Sequence, residues 1–269
     1  MGRSGALRGS VVLLAVWQVA AAALSQTGVL PGDDVGSISN RYDSWIDPAG
    51  YAFSIWGLIY VSSLVFAIHQ ATGARHDDTV LARVRGPAAL AFLLSGVWIL
   101  LFQQELFFAA HLVLVGLTVA LAVAYARLGR RGRPGSRAER WTVTTPIGLY
   151  LGWATVATVA GTSTTLLAVG IDELVLPAAV WAPLVVAVAG VIGVRITLTG
   201  PPEPGFPLAV AWALLAVAVE QGMLRTDLAV EVERAGVTAV AALAAVAVLA
   251  TLAARDLRWH RRHGGAVGP

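Results

Sequence analysis

The chain has no cysteine and no lysine among its 269 residues. The first absence excludes disulfides, thiolate metal sites and cysteine nucleophiles. The second removes Schiff-base chemistry, a retinal linkage included, because that chemistry needs a lysine amine. Charge is scarce as well: 13% of residues are charged, against about 25% in a soluble domain. No phosphate loop, zinc motif, nucleophile elbow or acid pair is visible, so the sequence reads as a non-enzyme with no required cofactor. What fills the chain is apolar: 57% of residues are hydrophobic, which makes it an integral membrane protein. All 19 basic residues are arginine and the net charge is +3. These arginines fall in short segments between apolar runs, which does not point to nucleic acid. Alanine, valine and arginine without lysine suit a GC-rich bacterial genome, so the expected location is a bacterial plasma membrane.

Apolar runs of roughly 17–25 residues mark membrane-spanning helices. Eight are read, at about 10–28, 50–71, 87–104, 106–126, 143–169, 175–197, 206–223 and 236–254. The fold class is therefore an all-α integral membrane protein, an eight-helix transmembrane bundle. Glu105 marks a tight hairpin between the third and fourth spans and is expected to be solvated. With the N-terminus inside, sixteen of the nineteen arginines lie on the inner side; Arg41, Arg225 and Arg234 remain outside. The outer segments take most acids, Asp33, Asp34, Asp43, Asp47, Asp172, Glu173, Asp227, Glu231 and Glu233 among them. By the positive-inside rule both termini are expected to be cytoplasmic. Arg3 and Arg8 ahead of Val11–Ala23 also fit a secretory signal peptide. The arginine-rich stretch Arg127–Arg140 reads as a topology signal and a contact for anionic lipid heads.

Aromatic residues divide the chain. Trp17, Trp56, Trp98 and Trp153 lie within the first five spans, with Trp45 and Trp141 near the interfaces. The last two spans are rich in alanine and valine and read as packing helices, since small side chains suit close helix contact. The stretch Pro48-Ala49-Gly50-Tyr51-Ala52-Phe53-Ser54-Ile55-Trp56-Gly57-Leu58-Ile59-Tyr60 opens the second span. Phe53, Trp56 and Tyr60 are spaced i, i+3, i+7 and share one helical face. At a rise of ~1.5 Å per residue, Trp56 lies in the outer half of the membrane, with Trp98 and Trp153 just below it. A pocket open to the outside, closed by the 31–48 loop, is one reading of this cluster. Helix packing with an interfacial aromatic belt is the other.

The Pro48–Tyr60 stretch resembles the signature of the tryptophan-rich sensory protein family, the TspO and mitochondrial benzodiazepine receptor group. Leu94–Phe102, centred on Trp98, is similar to that family's third helix. Pro146–Thr158, with Tyr150, Trp153 and Ala157, is similar to its fifth. Tyr51 stands where the family commonly has Trp, the Phe53-to-Trp56 gap is one residue short and lacks a Pro, and Gly161 stands where it often has Asn. The resemblance covers about residues 10–169. It implies a five-helix membrane unit over 1–170, followed by a three-helix extension over 171–256 and a basic cytoplasmic tail over 257–269. It also implies an apolar planar ligand, a porphyrin, haem or other tetrapyrrole, in a sensory or transport-related role. The expected ligand-binding residues are Tyr51, Phe53, Trp56, Tyr60, Trp98, Tyr150, Trp153 and Ala157. Expected partners are membrane lipids, the apolar small molecule and, in a homodimer, a second copy of the chain.

Other residues compete for a role. Carboxylates inside membranes are functional candidates, and Glu220, late in the seventh span, is a candidate proton-coupled group. That supports an alternative reading as a secondary transporter or permease; a purely structural bundle is the third. His69 lies ~28 Å inward along the second span and His111 only ~8 Å from the outer end of the fourth. One metal cannot reach both, no metal site is expected, and His111 reads as a satisfied buried histidine. Thr155, Thr158, Thr162, Ser163, Thr164 and Thr165 line the fifth span and are expected mostly to bond their own i−4 carbonyls.

Overall fold

The computed structural model describes residues 3–29, 32–33, 35–42, 44–72, 78–130, 136–171, 177–222 and 228–263. Arg75, Arg131, Arg133, Arg225, Asp34, Asp43, Asp172, Glu173 and Asp227 lie outside them, as do the side chains of Glu231 and Glu233. Among the described residues eight helices are long and apolar enough to cross a membrane, and there is no strand. They belong to α1 (Arg3–Ser25), α3 (Ile55–Ala71), α4 (Thr79–Gln103), α5 (Phe107–Gly129), α7 (Thr145–Ala168), α8 (Ala178–Thr199), α9 (Gly205–Gly222) and α10 (Leu228–His263). Two short helices accompany them: α2 (Val35–Arg41) beside the α4–α5 hairpin, and α6 (Arg137–Glu139) before α7. A 3-10 turn at Gly50–Ser54 leads into α3, and a π turn at Arg140–Thr144 leads into α7.

Several boundaries differ from the sequence reading for local reasons. α4 starts eight residues before the expected 87, because Asp78 caps it: its Oδ1 accepts from the amides of Val80 and Leu81 at 2.8 and 3.1 Å. An N-cap carboxylate satisfies amides that a helix start leaves unpaired. Pro87 consequently sits inside the helix. Arg85, read as part of a cytoplasmic segment, is buried inside α4 and donates to Gln70 Oε1 at 2.9 Å and to its carbonyl at 3.2 Å. A buried guanidinium needs such partners.

α1 packs on α3 and α4, α4 on α5, α5 on α7, and α7 on α3 and α9; α8 and α9 both pack on α10. The contact of α7 with α9 is close because Gly148 and Gly152 lie four apart on one face of α7. A Cβ at Gly148 would collide with the Glu203 carboxylate, and one at Gly152 with the Phe206 carbonyl and Ala209. Small residues at this spacing let two helix backbones approach. α9 is thereby buried on most of its surface, in contrast to α8 and α10.

Candidate functional site: an aromatic cavity under a strapped lid

The 3-10 turn sets the site. It carries Phe53 toward α7, where its ring meets Trp153 edge-on at 6.0 Å. One turn on, Trp56 stacks with Trp98 of α4 at 5.3 Å and with Tyr60 at 5.6 Å. It also meets Tyr150 and Trp153 of α7 edge-on, at 5.9 and 6.2 Å. From Trp98 the rings continue through Phe102 and Phe107 to Tyr42, with centroids 5.1 to 5.4 Å apart. Such pairs are worth about 0.5–1.5 kcal/mol each beyond their buried area, so the series forms a stiff wall from mid-bundle to the lid.

A cavity lies against that wall. The space it encloses, open solvent at the mouth included, is about 620 Å³. Phe53, Trp56, Trp98 and Trp153 line it on the aromatic side. Ala157, Gly161 and Thr164 extend the lining along α7 beyond Trp153 with small side chains, and Leu114 and His111 come from α5. Val35, Ser39, Asp47 and Pro48 close it from above. Ser39 Oγ donates to Asp47 Oδ2 at 3.3 Å, both residues being buried.

The segment carrying those last four residues is strapped on three sides. Arg41 pairs with Glu105 at 2.6 Å and with Asp33 at 3.1 Å, and the Tyr42 hydroxyl donates to Glu105 at 3.2 Å. Burial, and then the Glu105 carboxylate, push the Tyr42 phenol above its usual range. The Ser44 hydroxyl donates to Ser163 of α7 at 2.9 Å. On the third side α9 holds the backbone: Gln221 donates to the Ser44 and Asp47 carbonyls at 3.2 Å each, and Trp212 to the Ala52 carbonyl at 3.1 Å. Arg234 of α10 donates to Gln221 Oε1 at 2.6 Å and lies 4.7 Å from the ring centre of Trp45, a cation–π contact.

A family model described as TSPO-like protein matches residues 9–254, nearly the whole chain. The chain belongs to this TSPO-like family. The match extends well past residue 169, where the sequence resemblance ended, through α8, α9 and most of α10. No curated protein and no solved structure matches the chain.

In this TSPO-like protein the eight expected site residues divide into three groups. Phe53, Trp56, Trp98, Trp153 and Ala157 line the cavity. Tyr60 and Tyr150 stand against Trp56 and support it from behind; the Tyr150 hydroxyl donates to Gln18 Oε1 at 3.3 Å. Tyr51 is placed elsewhere, exposed at the lid end with its ring edge-on to Trp212 at 5.5 Å. Glu220 is half-buried in the last turn of α9 and does not line the cavity.

Sequence reasoning missed Phe102, Phe107, Ser39, Asp47 and His111 as wall residues. Phe102 follows Trp98 by one helical turn, a signal that was there to be used. Glu105 is not simply solvated at its hairpin tip but anchors the lid, a pairing across 64 residues that no local pattern shows. His111 differs from the expectation of a satisfied buried histidine: it is half-buried, its Nε2 lies 3.2 Å from Thr162 Oγ1, and its Nδ1 has no partner among the described residues. Most of the α7 hydroxyls do bond their i−4 carbonyls, as Thr155, Thr158, Thr162, Thr164 and Thr165 show.

Proposed function

We propose that this TSPO-like membrane protein binds an apolar, planar ligand of the tetrapyrrole class in the cavity beneath the 35–48 lid. The role is sensory or transport-related, in a bacterial plasma membrane with both termini cytoplasmic. One observation carries this reading: a cavity lined by Phe53, Trp56, Trp98 and Trp153 and, further along the same α7 face as Trp153, by the small residues Ala157 and Gly161. Plain helix packing would fill that space with side chains, since interiors are close-packed. Rings next to a smooth helix face suit a flat apolar molecule. A ring held between two others needs about 7 Å, twice the contact distance, and Trp56 and Trp98 are 5.3 Å apart. The ligand therefore lies along the tryptophans, not between them.

Tryptophan fluorescence of the detergent-purified protein, titrated with protoporphyrin, tests the reading. Saturable quenching is expected. Trp56→Ala and Trp153→Ala should each weaken binding by on the order of 1 kcal/mol or more while the bundle stays folded. Wild-type protein without saturable quenching would return the aromatics to packing.

A further inference from the structure

We propose that the ligand reaches the cavity sideways, out of the lipid on the lid side of the bilayer, through the seam between α5 and α7 at His111 and Gly161. This rests on the binding reading above and adds the route.

The lid is the best-closed wall. Val35, Ser39, Asp47 and Pro48 are all buried, and the segment is tied to the α4–α5 hairpin, to α7 and to α9. The side wall is thinner. Among the cavity-lining residues only Phe53, His111, Ala157, Gly161 and Thr165 are partly exposed. Four of those five lie on the facing stretches of α5 and α7, and Thr162 beside them is exposed.

Local chemistry makes this seam easy to part. Gly161 offers no side chain to close it; a Cβ there would stand 3.3 Å from His111 Nδ1. Across the seam at this level the His111 ring meets Thr162 Oγ1 at 3.2 Å. His111 and Leu114 face Gly161 at this level, and turning the histidine gives up a single hydrogen bond, whereas lifting the lid breaks three separate attachments. Lower down, the hydroxyls of Thr118 and Thr158 pair at 2.8 Å and tie α5 to α7.

Depth fits the cargo. His111 lies four residues into α5, ~6 Å below its start. That is the interfacial zone, where ring systems with an apolar body and a polar edge collect. A ligand of that kind can hand its polar edge to the unpartnered His111 Nδ1 as its rings slide toward Trp153. The ligand class is thus a membrane-dissolved planar amphiphile.

The chain has no cysteine, so introduced thiols are the only ones present. Two residue pairs bring their side-chain hydroxyls into contact, and cysteines placed there can be joined by oxidation or by a short bifunctional thiol reagent: Thr118 with Thr158 across the seam at 2.8 Å, and Ser44 with Ser163 under the lid at 2.9 Å. None of these four residues lines the cavity. The Thr118→Cys/Thr158→Cys and Ser44→Cys/Ser163→Cys proteins are reconstituted in vesicles preloaded with protoporphyrin, and the rate of tryptophan quenching is read for each in oxidised and reduced form. Thr162→Leu, which adds bulk at the seam outside the cavity lining and without a cross-link, is run beside them. The seam cross-link and the Leu plug should each slow quenching at least tenfold, while the lid cross-link leaves the rate unchanged. The proposal is overturned if the lid cross-link slows quenching, or if neither seam closure does. Saturable quenching at rates indifferent to the seam would sink only the route; no saturable quenching in any reduced form would sink the binding reading with it.

Discussion

Glu203 shows how one residue carries several duties. It is buried in the turn between α8 and α9, where its carboxylate accepts from the Phe206 amide at 3.0 Å, from the Gly205 amide, and from the Tyr125 hydroxyl of α5 at 2.8 Å. It therefore caps α9 and ties that helix to α5, while Arg255 of α10 donates to the neighbouring Thr197, Gly200 and Pro201 carbonyls. Burial outweighs these bonds and raises the carboxyl from 4.5 to about 7. An acid whose folded value lies above its unfolded one binds more protons when folded, so its contribution is fully present below pH 4.5 and is lost as pH rises through 7. That rise is worth roughly 3 kcal/mol. The melting temperature in detergent should decline across this window, and Glu203→Gln, neutral throughout, should remove that part of the decline. A Gln variant with the wild-type slope between those pH values would contradict the assignment.

At the scale of elements, the crossing of α7 and α9 decides whether the last three helices are ornament or frame. Gly148 and Gly152 admit the α9 backbone, and α9 then reaches the lid with Trp212 and Gln221. Gly152→Leu forces a side chain into a filled crossing, which typically costs about 1–3 kcal/mol or more. A thermal melt should show the loss. An unchanged melt would mean that the two helices do not meet there. Helix number was legible in the sequence because span length and apolarity are local. So was the face shared by Phe53, Trp56 and Tyr60, which depends only on helical spacing. The extent of α4 was hidden because a capped start followed by Arg83 and Arg85 in the second turn looks like a loop. The bracing role of α9 was hidden for a different reason: its composition is that of a packing helix, and Gln221 acts on carbonyls more than 170 residues away. Tyr51 was misplaced as a wall residue because the 3-10 turn at Gly50–Ser54 rotates it away from Phe53.

For the whole molecule, every cavity-lining residue lies between 35 and 165, yet the lid over them is held partly by α9 and α10. In the proposed orientation, eight crossings return the end of the chain to the side of its start, and the positive-inside rule makes that side the cytoplasm. Reporter fusions after residue 135 and at the C-terminus should both score cytoplasmic; a periplasmic signal at either breaks the eight-span orientation. The central claim is that the cavity under the lid is a ligand site, and a structure of the lipid-embedded protein with protoporphyrin tests it most directly. The account predicts ring density along Phe53, Trp56 and Trp153, facing Ala157 and roofed by Asp47 and Pro48. Density elsewhere on the bundle, with this cavity empty, would contradict it.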